Sequence, residues 1–186
     1  MKKLMIASDI HGSARWCRSL LETFEKEQAD RLLLLGDVLY HGPRNDLPEA
    51  YAPKEVAAML NIVRDKILCV RGNCDAEVDQ MMLEFPVMAD YAVLLFGDQE
   101  IYATHGHHFN EQTPPFPEGS ILLYGHTHVP VCVRHDTFTA MNPGSVSIPK
   151  QGSVHSIMTW ESGVFRWKSL EDGTTYRECV VPHEKR

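Results

Sequence analysis

A mixed α/β fold is what this sequence predicts: a strand–helix–strand half packed against a more antiparallel, strand-rich half, within one domain over residues 1–186. Three observations carry that prediction. Short, continuously apolar runs recur in the N-terminal part, the pattern of strands buried on both faces of a helix-covered sheet. Stretches with apolar residues at helical spacing lie between those runs. After about Leu83 helical periodicity becomes scarce, and short strand-like runs follow one another.

Taken in order, Leu4-Met5-Ile6-Ala7 reads as the first strand and ends in Ser8-Asp9. Ser13 then caps a helix running to about Gln28, with Leu20, Leu21 and Phe24 on one face. Leu32 to Leu35 is the second strand and ends in Gly36-Asp37. Pro53 suits the first turn of a second helix, whose Val56, Met59, Leu60 and Val63 recur at helical spacing. The third strand, Ile67-Leu68-Cys69-Val70, runs into Arg71-Gly72-Asn73. Tyr91 to Phe96 and Glu100 to Thr104 flank Gly97-Asp98 as a hairpin. Further strands are expected at Ile121 to Tyr124, Val129 to Arg134, Thr137 to Met141, His155 to Trp160 and Val164 to Ser169. Thr113 to Pro117 reads as a proline-rich loop, and Pro182 to Arg186 as a loose tail.

Composition narrows the classes of function. The 186 residues suit one domain that buries about 70% of its unfolded surface. A net charge of −7 argues against broad nucleic-acid binding, which depends on Lys and Arg neutralising phosphates. A local metal site could still draw a small anion. Cys17, Cys69, Cys74, Cys132 and Cys179 are odd in number and form no CxxC, so they read as reduced thiols of a cytoplasmic protein. Lys2 and Lys3 precede an apolar run that Asp9 ends too soon for a signal peptide or a membrane span.

The chemistry concentrates in Asp9, His11, Asp37, Asn73, His105, His126 and His128, each at or near the end of an apolar run. The carboxyl ends of strands in α/β folds share one edge, where ligands bind, so these residues are expected to converge. Carboxylate and imidazole suit Mn²⁺, Fe, Zn²⁺ and similar ions. A single Asp or His in such a place is commonly a turn former or a solvated group. Seven of them, with Gly36, Gly72, Gly106 and Gly125 adjoining, make a metal centre the better reading. Weaker candidates surround them. His107 and His108 read as exposed loop histidines in preference to groups lining the substrate pocket, Arg44 as a phosphate clamp or part of a turn, and Arg71 as a rim group or an ion-pair member. Asn142 to Ser145 reads as a tight turn supporting the site.

Asp9-Ile10-His11, Gly36-Asp37, Gly72-Asn73, His105-Gly106 and Gly125-His126-Thr127-His128 resemble, in order, the five blocks of the calcineurin-like metallophosphoesterases. The length, Gly-Asn-Cys-Asp at 72–75 and Asn-Pro-Gly-Ser at 142–145 are similar to the small bacterial YfcE-type phosphodiesterases within that superfamily. The resemblance implies a four-layered α/β/β/α sandwich with mixed sheets. It implies two divalent ions per chain, with Mn²⁺ foremost and Zn²⁺, Fe or Ni²⁺ as alternatives. Asp9, His11 and His128 would hold one ion, Asn73, His105 and His126 the other, and Asp37 would bridge them. The implied reaction is hydrolysis of a small phosphodiester by a metal-bridging hydroxide, with Asp37, Asn73, Cys74 and His105 nearest the chemistry. The implied assembly is a homo-oligomer, a dimer or tetramer. A phosphomonoesterase, a nuclease of the same superfamily and a non-catalytic interaction scaffold are the alternatives.

One position departs from the pattern. Many relatives place a histidine, thought to assist the leaving group, where this chain has Cys74. A thiol of ordinary pKa can donate a proton but replaces an imidazolium poorly. Slow turnover of esters with poor leaving groups is the expectation, unless Cys74 merely fills space.

Overall fold

The first three strands carry apolar side chains on both faces, so each face must meet another layer. The structure, a computed structural model, describes residues 2–96, 99–112 and 117–181. Strands β1 (Lys3–Ala7), β2 (Arg31–Leu34) and β3 (Ile67–Cys69) pair in parallel, connected through helices α1 (Ala14–Lys26) and α2 (Pro53–Ile62). Ser13 caps α1 by accepting a hydrogen bond from the Trp16 amide at 3.3 Å, and Pro53 opens α2. Met5, Ala7, Leu32 and Leu34 face these helices, packing with Trp16, Leu20, Phe24, Val56 and Leu60.

The other face of the same strands presents Leu4, Ile6, Leu33 and Leu35 to a second sheet. That sheet joins β4 (Tyr91–Phe96), β5 (Gln99–Thr104), β6 (Ser120–Leu123), β7 (Val131–Arg134) and β8 (Phe138–Asn142) in the order β4-β5-β6-β8-β7. Its central strands β5, β6 and β8 are parallel, and its edges β4 and β7 are antiparallel. Ile101, Ala103, Ile121, Leu123 and Met141 close the layer between the sheets. The outer face of the second sheet carries Leu122, Tyr124 and Ala140. The chain around Glu111 is tied to that face, because Tyr124 donates its hydroxyl to Glu111 and His135 Nε2 lies 2.9 Å from the same carboxylate.

Two expectations change. The C-terminal strands do not build a separate antiparallel half. Strands β9 (Ser156–Glu161), β10 (Val164–Ser169) and β11 (Thr175–Val180) complete the first sheet, in the order β11-β10-β9-β1-β2-β3. The reason is burial: β2 occupies only one edge of β1, and β9 takes the other, bringing Ile157 and Met158 to cover opposite faces there. Strand β11 and the short helix α3 (Glu77–Gln80) were not expected at all. Five of the six β11 residues are exposed, so an edge strand of this kind leaves no apolar alternation to read. The Gly97-Asp98 turn, Thr113 to Phe116 and the tail at 182–186 lie outside the described residues, although β4 and β5 do pair antiparallel up to Phe96 and Gln99. All five cysteines are free thiols. No helix among the described residues is long and apolar enough to cross a membrane.

Candidate metal centre

The parallel strands of both sheets end on one side of the molecule. Asp9 and His11 follow β1, Asp37 follows β2, Asn73 follows β3, His105 follows β5, and His126 and His128 follow β6. To turn inward there, Asp9, His11, Asp37, His126 and His128 adopt left-handed backbone angles, with φ of 60°, 47°, 55°, 66° and 62°. That conformation costs about 1–2 kcal/mol at each non-glycine residue. Five such residues in one place mark a centre whose geometry overrides local preference.

The side chains meet as the chain order demanded. Asp9 Oδ1 lies 3.3 Å from His128 Nε2 and 3.5 Å from His11 Nε2, and the two imidazole Nε2 atoms are 3.3 Å apart. Asp37 Oδ2 lies between the two groups, 3.7 Å from His11 Nε2 and 3.4 Å from His105 Nε2. Asn73 Oδ1 is 3.1 Å from His105 Nε2. The His126 ring stands 5.1 Å from that of His105, centroid to centroid. Asp9, His11, Asp37, His105 and His128 are buried, whereas Asn73 is exposed.

Each of three imidazoles is fixed from behind. His11 Nδ1 faces the Tyr40 carbonyl at 2.8 Å, His105 Nδ1 the Leu35 carbonyl at 2.6 Å, and His128 Nδ1 the Ile148 carbonyl at 2.6 Å. With the proton held on Nδ1, each Nε2 lone pair points into the cup, the orientation that metal-bound histidines adopt. The cup then holds lone pairs facing lone pairs, and the buried Asp9 Oδ1 has no hydrogen-bond partner. Only a cation or extra protons relieve that arrangement. Three-residue sets that could grip an ion among the described residues are Asp9 with His11 and His128, Asp9 with Asp37 and His105, and His11 with Asp37 and Cys74. The donors therefore fit a divalent metal ion.

Protonation of the metal-free cup follows the same logic. Burial by itself would raise the Asp9 carboxyl, but His11 and His128 outweigh it and hold the group well below the carboxylate range. Burial opposes charge on His105, yet Asp37 and Asp9 raise its pKa to about 9. Burial followed by the His105 charge lowers His126. Cys74 is half-buried; burial first and Asp37 second push its thiol upward, so it stays neutral. Its backbone amide donates to Asp37 Oδ1 at 2.8 Å.

A residue that the sequence reading passed over holds the centre together. Asp75 is buried, and its Oδ2 accepts from the amides of Asp37 at 2.8 Å and Gly72 at 2.7 Å, while Oδ1 accepts from Val38 at 2.9 Å. It clamps the loop after β2 to the loop after β3. Burial raises its pKa against the pull of those three amides. Its sequence signal is its place as the last residue of Gly-Asn-Cys-Asp at 72–75. The 142–145 turn supports the site as expected. Asn142 donates to the Gly125 carbonyl at 2.7 Å, and the Ser145 hydroxyl to the Asp9 carbonyl at 2.9 Å. Arg71 donates to the Asp75 carbonyl at 3.2 Å and, among the described residues, pairs with no carboxylate. His108 is exposed, but His107 is half-buried with its ring 5.3 Å from that of His105.

The cup opens into a cavity of about 330 Å³ lined by Asp37, Asn73, Cys74, His126, His128 and the loops at Arg44 and Lys150. A larger cavity of about 760 Å³ lies between α1 and α2 and holds none of the site residues.

Comparison with known proteins agrees with this geometry. Phosphodiesterase YfcE of Escherichia coli (strain K12) is 49% identical over 182 residues, covering 97% of this chain and 99% of that protein. A solved structure of E. coli YfcE, described as a phosphoesterase, superposes with a TM-score of 0.94 at 45% identity, over 97% of this chain and 100% of the other. Phosphodiesterase MJ0936 of Methanocaldococcus jannaschii is 25% identical over 150 residues, 76% of this chain and 82% of that protein. Vps29 of Entamoeba histolytica, solved in complex with Zn²⁺, shares the fold at a TM-score of 0.62 and 19% identity, over 96% of this chain and 98% of the other. Residues 1–162 match the calcineurin-like phosphoesterase superfamily domain, and the chain belongs to that superfamily.

Proposed function

We propose that this protein is a metal-dependent phosphodiesterase that hydrolyses a small phosphodiester at two divalent ions. The observation that carries the reading is the inward-facing set of Nε2 and carboxylate lone pairs at the joined carboxyl ends of both sheets. Asp9, His11 and His128 would hold one ion, Asn73, His105 and His126 the other, with Asp37 between them. Bound there, two such ions supply the acidity that makes water a nucleophile near neutral pH and the positive charge that offsets the phosphoryl oxygens.

The chain's own groups do the rest. The backbone carbonyls of Tyr40, Leu35 and Ile148 lock three imidazoles in the ligating tautomer. Asp75 and the Cys74 amide keep the Asp37 carboxylate in register. The cavity admits a small ester and is far too small for a duplex. Cys74, neutral and beside Asp37, occupies the position where the family resemblance places a group that assists the leaving oxygen. As a thiol it favours diesters whose leaving groups need little help. A preference for diesters over monoesters is supported by the names of the E. coli and M. jannaschii relatives. Mn²⁺ is the foremost candidate ion, with Zn²⁺, Fe or Ni²⁺ as alternatives. A single-domain, cytoplasmic homo-oligomer completes the proposal and rests on the sequence reading alone.

The test is to strip the protein with a chelator, add Mn²⁺ and follow bis-p-nitrophenyl phosphate. Activity should appear on loading and fall at least about 100-fold in Asp37→Asn, whose removed charge has no substitute between the two ligand groups. No hydrolysis above buffer would favour a non-catalytic scaffold, and near-normal rates in Asp37→Asn would overturn the assignment.

A further inference from the structure

We propose that Arg44 and Lys150 form a second anion subsite beside the metal centre, so that preferred substrates are phosphodiesters carrying a further phosphate monoester on one arm. This rests on the phosphodiesterase reading and narrows its substrate class.

Both residues line the cavity that opens from the cup, together with Asp37, Asn73 and His126. Each is presented by an ordered loop. Asn45 Nδ2 donates to the His41 carbonyl at 2.8 Å and closes the turn bearing Arg44. The Lys150 amide donates to the His128 carbonyl at 3.2 Å, and Ser153 Oγ donates to the Lys150 carbonyl at 2.7 Å. The position of Lys150 is thereby tied to a residue of the cup itself.

Their charges are unspent. The chain holds 25 acidic against 18 basic residues, so carboxylates are plentiful. Among the described residues Lys3 and Lys168 share Glu27, Arg64 pairs with Glu84 and Arg166 with Glu178, while other cations such as Arg18 and Lys54 have no ion pair; what sets Arg44 and Lys150 apart is the cavity they share. Among the described residues the side chains of Arg44 and Lys150 enter no ion pair or hydrogen bond, although they face the same small cavity. The reacting phosphate does not require them. Two divalent ions set against the Asp9 and Asp37 carboxylates, a singly charged diester and an anionic nucleophile already sum to neutrality. Two further cations at the mouth match a further dianion. Arg offers a planar fork for phosphate oxygens and Lys a movable point charge, the pair of chemistries that grip a terminal phosphate.

Two substrates with one leaving group isolate the effect: the p-nitrophenyl ester of thymidine 5′-phosphate, and the same ester carrying a 3′-phosphate. The phosphorylated ester should show a kcat/KM at least about tenfold higher, expressed mainly in KM, as expected for charge-assisted contacts. Arg44→Gln and Lys150→Gln should each shrink that ratio, and so should high salt. Titration calorimetry of the Mn²⁺-loaded protein should show thymidine 3′,5′-bisphosphate binding more tightly than thymidine 5′-phosphate, with the preference lost in the double variant. Equal kcat/KM for the two esters would overturn the subsite. Variants that slow both esters by one factor would also overturn it, placing the two cations on the reacting phosphate instead. If neither ester is hydrolysed, the phosphodiesterase reading fails, and the calorimetric preference alone decides the subsite.

Discussion

Replacing Asp75 with Asn should separate positioning from catalysis at this site. The carboxylate is buried and satisfies three backbone amides, those of Asp37, Gly72 and Val38, at 2.7–2.9 Å. Asn keeps one carbonyl oxygen. Placed toward Asp37 and Gly72, it retains two hydrogen bonds but demotes them from charged to neutral acceptors. Its NH2 group then faces the Val38 amide, donor against donor. An unpaired buried donor costs about 1–3 kcal/mol, and each demoted bond about 1 kcal/mol. Loss of the burial penalty on the ionised carboxyl offsets part of this. The net destabilisation is about 2–4 kcal/mol, or about 5–15 °C in Tm for a chain of this size. Because Asp37 and Asn73 sit on the two loops that Asp75 joins, kcat/KM should fall with the stability. The assay is thermal melting of the metal-loaded variant beside its rate on bis-p-nitrophenyl phosphate. A variant melting within about 2 °C of the parent and hydrolysing at the parent rate would refute the clamp.

Three further outcomes follow from the same geometry. A β-carbon added at Gly72 would run into the Asp37 carboxylate and amide, so Gly72→Ala should abolish most activity and lower Tm; an unchanged melt and rate would show that the loops can part freely. In chelator-stripped protein, His105 has a folded pKa of about 9, above the ordinary 6.5. A raised histidine contributes stability that is full below the unfolded pKa and disappears as pH rises through the folded one, so the stripped protein should lose up to about 3 kcal/mol between pH 6.5 and 9. Chemical denaturation at a series of pH values measures this, and a flat profile would contradict the His105–Asp37 pairing. Finally, kcat/KM should fall steeply with leaving-group pKa across a set of aryl and alkyl diesters, and Cys74→His should flatten that slope; a flat dependence in the parent's chemical step would mean that no proton is missing.

Much of this protein could be read along the chain because its signals are local. Leu32 to Leu35 is apolar throughout and had to be an inner strand, and Leu20 and Phe24 recur at helical spacing over the sheet. The ligand candidates were visible for the same reason: Asp9, Asp37, Asn73, His105 and His126 each follow a strand signal, and strand ends share an edge. Other features depended on contacts between distant segments. Strand β9 joins β1 rather than the second sheet because it fills an open edge, a choice that no window of sequence contains. Cys132 on β7 and Cys179 on β11, far apart in the chain, both pack against the core between the sheets from the edges of two different sheets. Asp75 became a clamp, and Arg44 and Lys150 came to share a cavity, only when the loops after β2, β3 and β8 were brought together. Periodicity records which face of an element is apolar; which element covers that face, and which backbone amide is left for a carboxylate to satisfy, is settled by packing the whole chain at once.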